Sequence, residues 1–150
     1  MMTQLIEDTL QLLKAACAPE AMIVPDPDLS ELTEAAAMLQ RNEVSYSRAV
    51  NLLALFTLLI LARKRHDKAS YSDPDLTRKI LDGDYFQSLY IQLALQFGEM
   101  ELVRYLAPVL KTWYIRQALG QPAAEPLASV FQAYLQHEQA SAAPEKHKAI

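Results

Sequence analysis

Residues 49–62 read AVNLLALFTLLILA, a stretch in which only Asn51 and Thr57 are polar. Apolar residues therefore cover nearly the whole circumference of a helix built on it, which is typical of a helix at the centre of a bundle. Ser45 can cap the start of this helix, which is expected to run to about Arg65. Because the stretch is shorter than the about 20 residues that a membrane span needs, we expect no transmembrane segment.

The rest of the chain carries the same kind of pattern in a weaker form. Apolar residues recur at three- and four-residue spacing along most of the 150 residues, which predicts an all-α, single-domain antiparallel helical bundle. We expect one helical domain over residues 1–139 and a disordered tail over residues 140–150, which are rich in alanine and charge. The predicted helices around the central one cover residues 3–17, 28–42, 73–97, 99–119 and 127–139.

Local signals mark where several of these helices begin and end. Asp28 followed by Glu31 resembles a capping box, and Asp73-Pro74 is typical of an N-cap followed by proline at the first helical position. Gly98 is expected to end the helix that starts there. The residues expected to point inward are Ile6, Leu10, Leu13 and Cys17 in the first helix, and Leu29, Leu32, Ala36 and Leu39 in the second.

Charge and cysteine content exclude several classes of protein. The net charge of −4 gives no basis for binding nucleic acid, since a phosphate backbone needs a basic face. The basic cluster Arg63, Lys64, Arg65 and Lys68 lies at one helix end, where it more often complements the helix dipole than binds a polyanion. Cys17 is the only cysteine, so an internal disulfide is impossible and no cysteine metal site is indicated. With no signal peptide at the start, cytoplasmic localisation is expected.

The acidic residues do not form the cluster that metal-assisted phosphate chemistry needs. Asp82 and Asp84 are two positions apart, so on a helix they point to different faces. Asp67 stands alone among basic neighbours, and the chain has no glycine-rich phosphate loop and no His-Glu-x-x-His motif. We therefore expect no metal site, no bound cofactor and no catalysis by this chain alone.

One glycine interrupts the strongly apolar helix 73–97. Gly83 should cost about 1 kcal/mol against alanine there, so we expect another group to approach the backbone closely at this point. His66 lies 17 residues before this glycine, and a lone histidine is more often structural than catalytic. Along the same helix Asp84, Ser88, Gln92 and Gln96 form a polar line.

Residues 62–67, ARKRHD, end the long apolar helix, and residues 81–86 read LDGDYF. With these two segments in this order, residues 46–118 resemble the middle of the trans-prenyl diphosphate synthases. Residues 62–67 stand where that family carries its first aspartate-rich motif, and residues 81–86 resemble the family's Leu-x-Gly-Asp-Tyr step. The pairing of residues 89–94 with residues 98–103 is similar to the small subunit, component I, of bacterial two-component heptaprenyl or hexaprenyl diphosphate synthases. The resemblance implies a truncated isoprenoid synthase fold.

The departures from the family pattern concern its catalytic parts. Of the first aspartate-rich motif only His66 and Asp67 remain, and Lys68, Ala69 and Ser70 follow where further carboxylates would be needed. A second aspartate-rich motif and the family's Arg-Arg-Gly step are absent from the sequence. By resemblance, the chain is then a non-catalytic regulatory subunit of a transferase. It pairs with a large catalytic subunit that holds Mg²⁺, and it helps set the chain length of the polyprenyl side chain of a menaquinone-type quinone.

Six residues of helix 73–97 are candidates for the partner interface or for the wall of the tunnel that holds the growing polyprenyl chain. Leu89 and Leu93 are more simply core residues, whereas Tyr85 and Tyr90 are better interface candidates, because tyrosine combines a large apolar face with a polar tip. The six are Asp84, Tyr85, Phe86, Leu89, Tyr90 and Leu93.

Two other functions remain open at this point. The chain could be a helical protein-interaction adaptor unrelated to isoprenoid synthesis, whose apolar helix docks on another protein. It could also be a stand-alone enzyme or a binder of one hydrophobic ligand, although the carboxylate pattern argues against catalysis.

Overall fold

The computed structural model describes the backbone of residues 2–67, 72–122 and 125–148, and side chains as far as residue 142 within these ranges. The described residues form α-helices and one short 3₁₀ turn, Pro19–Ala21, with no strand among them, so the predicted all-α fold class is confirmed. The helices are α1 (Met2–Ala16), α2 (Leu29–Arg41), α3 (Tyr46–Asp67), α4 (Leu76–Phe97), α5 (Met100–Ala118) and α6 (Leu127–Lys148).

By the contacts within it, the chain divides into two compact units, Met1–Met100 and Glu101–Ile150. The first unit holds α1 to α4, and the second holds α5 and α6. In the first unit α3 packs against α1, α2 and α4, and α1 also contacts α2. The apolar stretch 49–62 therefore lies at the centre of the first unit, as the sequence predicts.

α3 has 22 residues, and it is the helix in the described part of the chain that is long and apolar enough to cross a membrane. Within its most apolar window 67% is buried inside the protein. The core helix of a soluble protein passes the same test of length and composition, so these features are weak evidence for a membrane. Its one buried hydroxyl, on Thr57, donates to the Leu53 carbonyl at 2.7 Å and so is satisfied.

Most of the predicted inward residues of α1 and α2 are buried, and the exceptions are Ile6, Leu10 and Leu29. In α1 the buried residues are Leu5, Thr9 and Leu13, while Ile6 and Leu10 are only half-buried. The face can turn toward Thr9 because its hydroxyl donates to the Leu5 carbonyl at 2.7 Å, which removes the cost of burying it. In α2 the predicted inward residue Leu29 is 60% exposed, because it lies at the first helical position, where the buried face of the helix ends.

The cap of α2 is confirmed and that of α4 is not. The Asp28 carboxylate accepts the Ser30 amide at 2.9 Å, and Glu31 pairs with a base on α3 rather than closing a capping box. Asp73 was expected to cap α4, but its carboxylate accepts the amide of Asp75 at 2.8 Å in a turn. That turn delays the start of α4 to Leu76.

α4 ends as predicted at Gly98, whose φ of +72° is the left-handed conformation that glycine adopts at helix ends. The next residue, Glu99, is buried, with its side chain 8% exposed. Arg48 holds both of its carboxylate oxygens, at 2.8 and 3.1 Å. This ion pair ties the first turns of α3 to the end of α4.

In the second unit α5 buries Leu102, Leu106, Leu110 and Trp113, and Pro108 lies inside this helix. α6 is longer than the predicted 127–139 and continues to Lys148, into the segment that the sequence predicts to be a disordered tail. The ring of Tyr105 on α5 lies 5.3 Å from the ring of Tyr134 on α6, edge to face.

Candidate functional site

The end of α3 lies directly against Gly83 of α4. A Cβ atom placed on Gly83 would lie 2.4 Å from Nε2 and 2.5 Å from Cδ2 of His66, far inside van der Waals contact. The close approach predicted from the glycine is confirmed, and the approaching group is the His66 imidazole. The absence of a side chain at position 83 lets that ring lie on the α4 backbone.

His66 is also joined to the residue after the glycine. Its Nε2 lies 3.0 Å from Oδ1 of Asp84, with the imidazole side chain 16% exposed and the carboxylate 62% exposed. Two consecutive residues of α4 thus hold the imidazole, one by leaving room and one by a hydrogen bond. The two motif-like segments, 62–67 and 81–86, meet in space through this contact.

The other acidic residues near this junction are paired with bases on their own helices. Asp67 lies 3.6 Å from Arg63, measured from Oδ2 to Nε, and Asp82 lies 2.7 Å from Arg78, measured from Oδ1 to Nε. Within the described ranges, no three His, Cys, Asp or Glu side chains converge in a way that could hold a metal ion. Lys68, Ala69 and Ser70, which break the aspartate-rich motif, lie outside the described residues.

The described members of the basic cluster at the end of α3 are paired with acidic residues. Lys64 pairs with Glu31 of α2 at 3.0 Å, and Arg65 pairs with Asp26 at 3.0 Å. The last turn of α3 carries Lys64, Arg65 and His66, the position at which cations complement the helix dipole.

Three side chains of α3 and α4 hold the segment that connects α1 to α2. We call this segment, residues 18–28, the strap. The Tyr85 hydroxyl accepts the amide of Ala18 at 2.8 Å. Arg78 Nη2 donates to the carbonyls of Ala21 and Met22, at 2.9 and 3.2 Å, and Arg65 reaches Asp26.

The strap contacts were not predicted from the sequence. The only available signal is the prolines 19, 25 and 27, which mark an extended segment whose backbone groups need partners outside regular secondary structure. That signal says that partners exist but not which residues they are. Tyr85 therefore has a defined role inside the chain, beside its predicted role at an interface.

Four of the six candidate residues of α4 lie inside the protein. Phe86 is 0% exposed, Tyr90 is 1% exposed, and Leu89 and Leu93 are 5% exposed each. Tyr90, which the sequence favours for an interface, therefore has almost no exposed surface in the chain by itself. The face of α4 that carries these residues packs on α3. These four candidates for an interface or a tunnel wall are therefore buried within the chain.

The Tyr90 hydroxyl is buried and has no hydrogen-bond partner among the described residues. Burial raises the pKa of this hydroxyl well above its usual range, because the charged phenolate would lose its hydration. Phe86 has a different neighbour, the Arg65 guanidinium, 5.8 Å from its ring centroid.

The outward face of α4 mixes polar and apolar residues. The predicted polar line of Asp84, Ser88, Gln92 and Gln96 is exposed, as its pattern requires. Large apolar side chains lie on the same side of the helix, with exposed fractions between 37% and 58%. They are Ile80, Leu81, Ile91 and Leu95.

Comparison of the chain with family models, curated proteins and solved structures finds no match. The resemblance to the prenyl diphosphate synthases therefore rests on the residues of the chain alone.

Proposed function

We propose that this chain is the non-catalytic regulatory subunit of a two-component long-chain polyprenyl diphosphate synthase. The observation that carries the proposal is the contact of His66 with Gly83 and Asp84. The two segments on which the resemblance rests are separated along the chain and adjacent in the fold. A shared ancestral helix pair gives a reason for both the sequence pattern and the contact.

The pairing of the carboxylates supports the non-catalytic part of the proposal. Asp67, Asp82 and Asp84 each lie beside a base: Arg63, Arg78 and His66. A carboxylate that a neighbouring side chain already engages is a poorer ligand for Mg²⁺, which needs oxygen ligands arranged in an octahedron. The chemistry and the Mg²⁺ are assigned to the large partner subunit.

The outward face of α4 is the proposed docking surface. Its exposed apolar residues, Ile80, Leu81, Ile91 and Leu95, provide the apolar centre that protein interfaces bury, and the polar line around Ser88 provides a rim. Since Phe86, Leu89 and Leu93 are already buried within the chain, the chain acts on the partner's tunnel by packing on its helices. Each CH₂ group shielded from water is worth about 0.8 kcal/mol, so such packing can set where elongation stops.

A prenyltransferase assay of three samples tests the proposal: this chain alone, an aspartate-rich synthase subunit alone, and their mixture. Each sample receives Mg²⁺, farnesyl diphosphate and isopentenyl diphosphate. We expect hexaprenyl or heptaprenyl product from the mixture only. Elongation by the pure chain would contradict the non-catalytic role, and no activity together with no complex by size exclusion would remove the proposal.

A matched set of variants tests the docking surface in the same assay. Leu95→Glu places a charge at an exposed apolar position of α4, so it is expected to weaken the complex at least about tenfold by desolvating that charge. Gln11→Glu adds the same charge at an exposed position of α1 and is expected to leave the affinity unchanged. If both variants bound the partner with the affinity of the native chain, the interface would not lie on the outward face of α4.

The same exposed face favours the alternative of a helical adaptor with no link to isoprenoids, since nothing in its chemistry requires a synthase as partner. Co-purification separates the two functions. An aspartate-rich synthase recovered with the chain supports the regulatory subunit, and a different protein recovered through the Leu95 surface supports the adaptor.

A further inference from the structure

A large apolar cleft lies in the first unit, between α1 and the strap. Its volume is about 790 Å³, within the range of sites that bind small molecules. Leu10 and Cys17 contribute to its wall from the α1 side, and Ile23 and Val24 contribute from the strap. Polar contacts with Tyr85, Arg78 and Arg65 hold the strap in place. The position of this wall of the cleft therefore does not depend on contacts between the apolar side chains that line the cleft.

Apolar groups at this cleft are left open to solvent. Met22 is 81% exposed, Val24 69% and Leu29 60%, the three highest exposed fractions among the large apolar residues apart from Leu119. All three line the cleft. A single aliphatic chain lying in the cleft would cover apolar surface that the fold itself leaves in water.

The charges of the cleft are not balanced. Two charged side chains line it, Lys14 and Asp26. Asp26 is engaged by Arg65, with Nη2 and Oδ1 3.0 Å apart. Lys14 takes part in none of the ion pairs between the described residues. The cleft therefore offers one uncompensated positive charge beside an apolar wall.

We propose that this cleft binds a single aliphatic chain that ends in one anionic group, with the chain along the strap and the anionic group at Lys14. The head group is a carboxylate or a phosphate monoester, because either provides the oxygen acceptors that an ammonium group binds. The site lies in α1 and the strap, whereas the proposed docking surface lies on α4. The two proposals can therefore fail separately.

Calorimetric titration of the full chain tests the proposal with octanoate, decanoate and dodecanoate, each below its micelle concentration. We expect the affinity to rise about fourfold for each added methylene, since that is the effect of burying one CH₂ group. Dodecanol should bind at least about threefold more weakly than dodecanoate, because it lacks the charge. Dodecyl phosphate, compared with dodecanoate, identifies which anionic head group is preferred.

Two lysine variants provide the matched comparison. Lys14→Gln, at an exposed position, should bring the affinity for dodecanoate down to that for dodecanol, and Lys111→Gln on α5 should leave it unchanged. Affinity that does not depend on chain length would overturn the proposal, and so would a Lys14→Gln variant that binds dodecanoate like the native chain.

The single cysteine gives a second readout of the same cleft. Cys17 is 8% exposed, lines the cleft and is the only cysteine of the chain, so alkylation reports on one site. Bound dodecanoate should slow its alkylation by iodoacetamide, while dodecanoate at the same concentration should not slow alkylation of free cysteine. An unchanged rate at a saturating concentration would place the ligand outside the cleft.

Discussion

Gly83 affects the stability of the protein in two opposite ways. A glycine inside a helix costs about 1 kcal/mol relative to alanine, because the unfolded backbone has more freedom to lose. Here the missing Cβ leaves room for the His66 ring, which lies within 2.5 Å of the place that a Cβ would occupy. The glycine is retained at a cost in helix stability, and the contact with His66 offsets that cost.

We therefore expect the effect of Gly83→Ala to depend on the residue at position 66. In the native chain the new methyl group displaces the imidazole and breaks its 3.0 Å contact with Asp84, which cancels or exceeds the gain in helix propensity. In a His66→Ala chain the same substitution should stabilise the protein by about 1 kcal/mol. Chemical denaturation of the four proteins measures this coupling, and equal effects of Gly83→Ala in both backgrounds would contradict it.

The strap shows how a segment with little regular structure is held by a neighbouring helix pair. Its amides at Ala18, Ala21 and Met22 are all hydrogen-bonded, the first to Tyr85 and the other two within the strap. Arg78 binds the carbonyls of Ala21 and Met22. The strap is thus fixed by contacts between residues that lie far apart in the sequence.

Arg78→Gln should loosen the strap without disturbing the helices. Loss of the two carbonyl contacts is expected to speed hydrogen exchange of the Ala21 and Met22 amides about tenfold, since a hydrogen bond to a charged group is worth about 1.5 kcal/mol or more. Exchange in α3 should not change. Arg104→Gln, which removes an ion pair with Glu101 in the second unit, is the control. Faster exchange throughout α3 would show that Arg78 has a different role, and so would an unchanged exchange rate in the strap.

At the level of helices and turns, most of the fold could be predicted from sequence, because helix periodicity and glycine end signals are local. The central position of residues 49–62 and the end of α4 at Gly98 are confirmed. The start of α4 follows a turn in which Asp73 accepts the Asp75 amide, and α1 buries Thr9, whose hydroxyl is satisfied by the Leu5 carbonyl. Such bonds depend on geometry that a periodic pattern does not contain.

For the candidate site, the sequence predicted one close contact but not the group that makes it. It predicted a close approach at Gly83, and His66 was found there. It favoured the core for the leucines and an interface for the tyrosines of the candidate set, but an apolar pattern alone does not distinguish a core from an interface. Packing on α3 placed Tyr90 inside and left Leu95 outside.

The stability of the whole protein should depend on pH at the alkaline end through Tyr90. Its folded pKa is raised by burial, while the pKa in the unfolded chain stays near 10. Above about pH 10 the unfolded state therefore loses a proton that the folded state keeps, so stability falls as pH rises, by up to about 1.36 kcal/mol per pH unit from this group. Below about pH 10 the Tyr90 hydroxyl is protonated in both states, so this group no longer makes the stability depend on pH.

Tyr90→Phe isolates this effect. The variant should be about 1 kcal/mol more stable than the native chain at neutral pH, because it removes a buried hydroxyl that has no partner among the described residues. Its advantage should grow above pH 10, as measured by denaturant titrations at each pH. A variant that is less stable at neutral pH would show that the hydroxyl is bonded in solution.

The position of Trp113 has a spectroscopic consequence for the two units. It is the only tryptophan, and it lies buried in α5, so intrinsic tryptophan emission monitors the second unit alone. Far-ultraviolet circular dichroism, in contrast, sums the helices of both units. Heating curves that coincide for the two signals would mean that the units melt as one cooperative body, and an emission change that precedes or follows the dichroism would mean that each unit melts on its own.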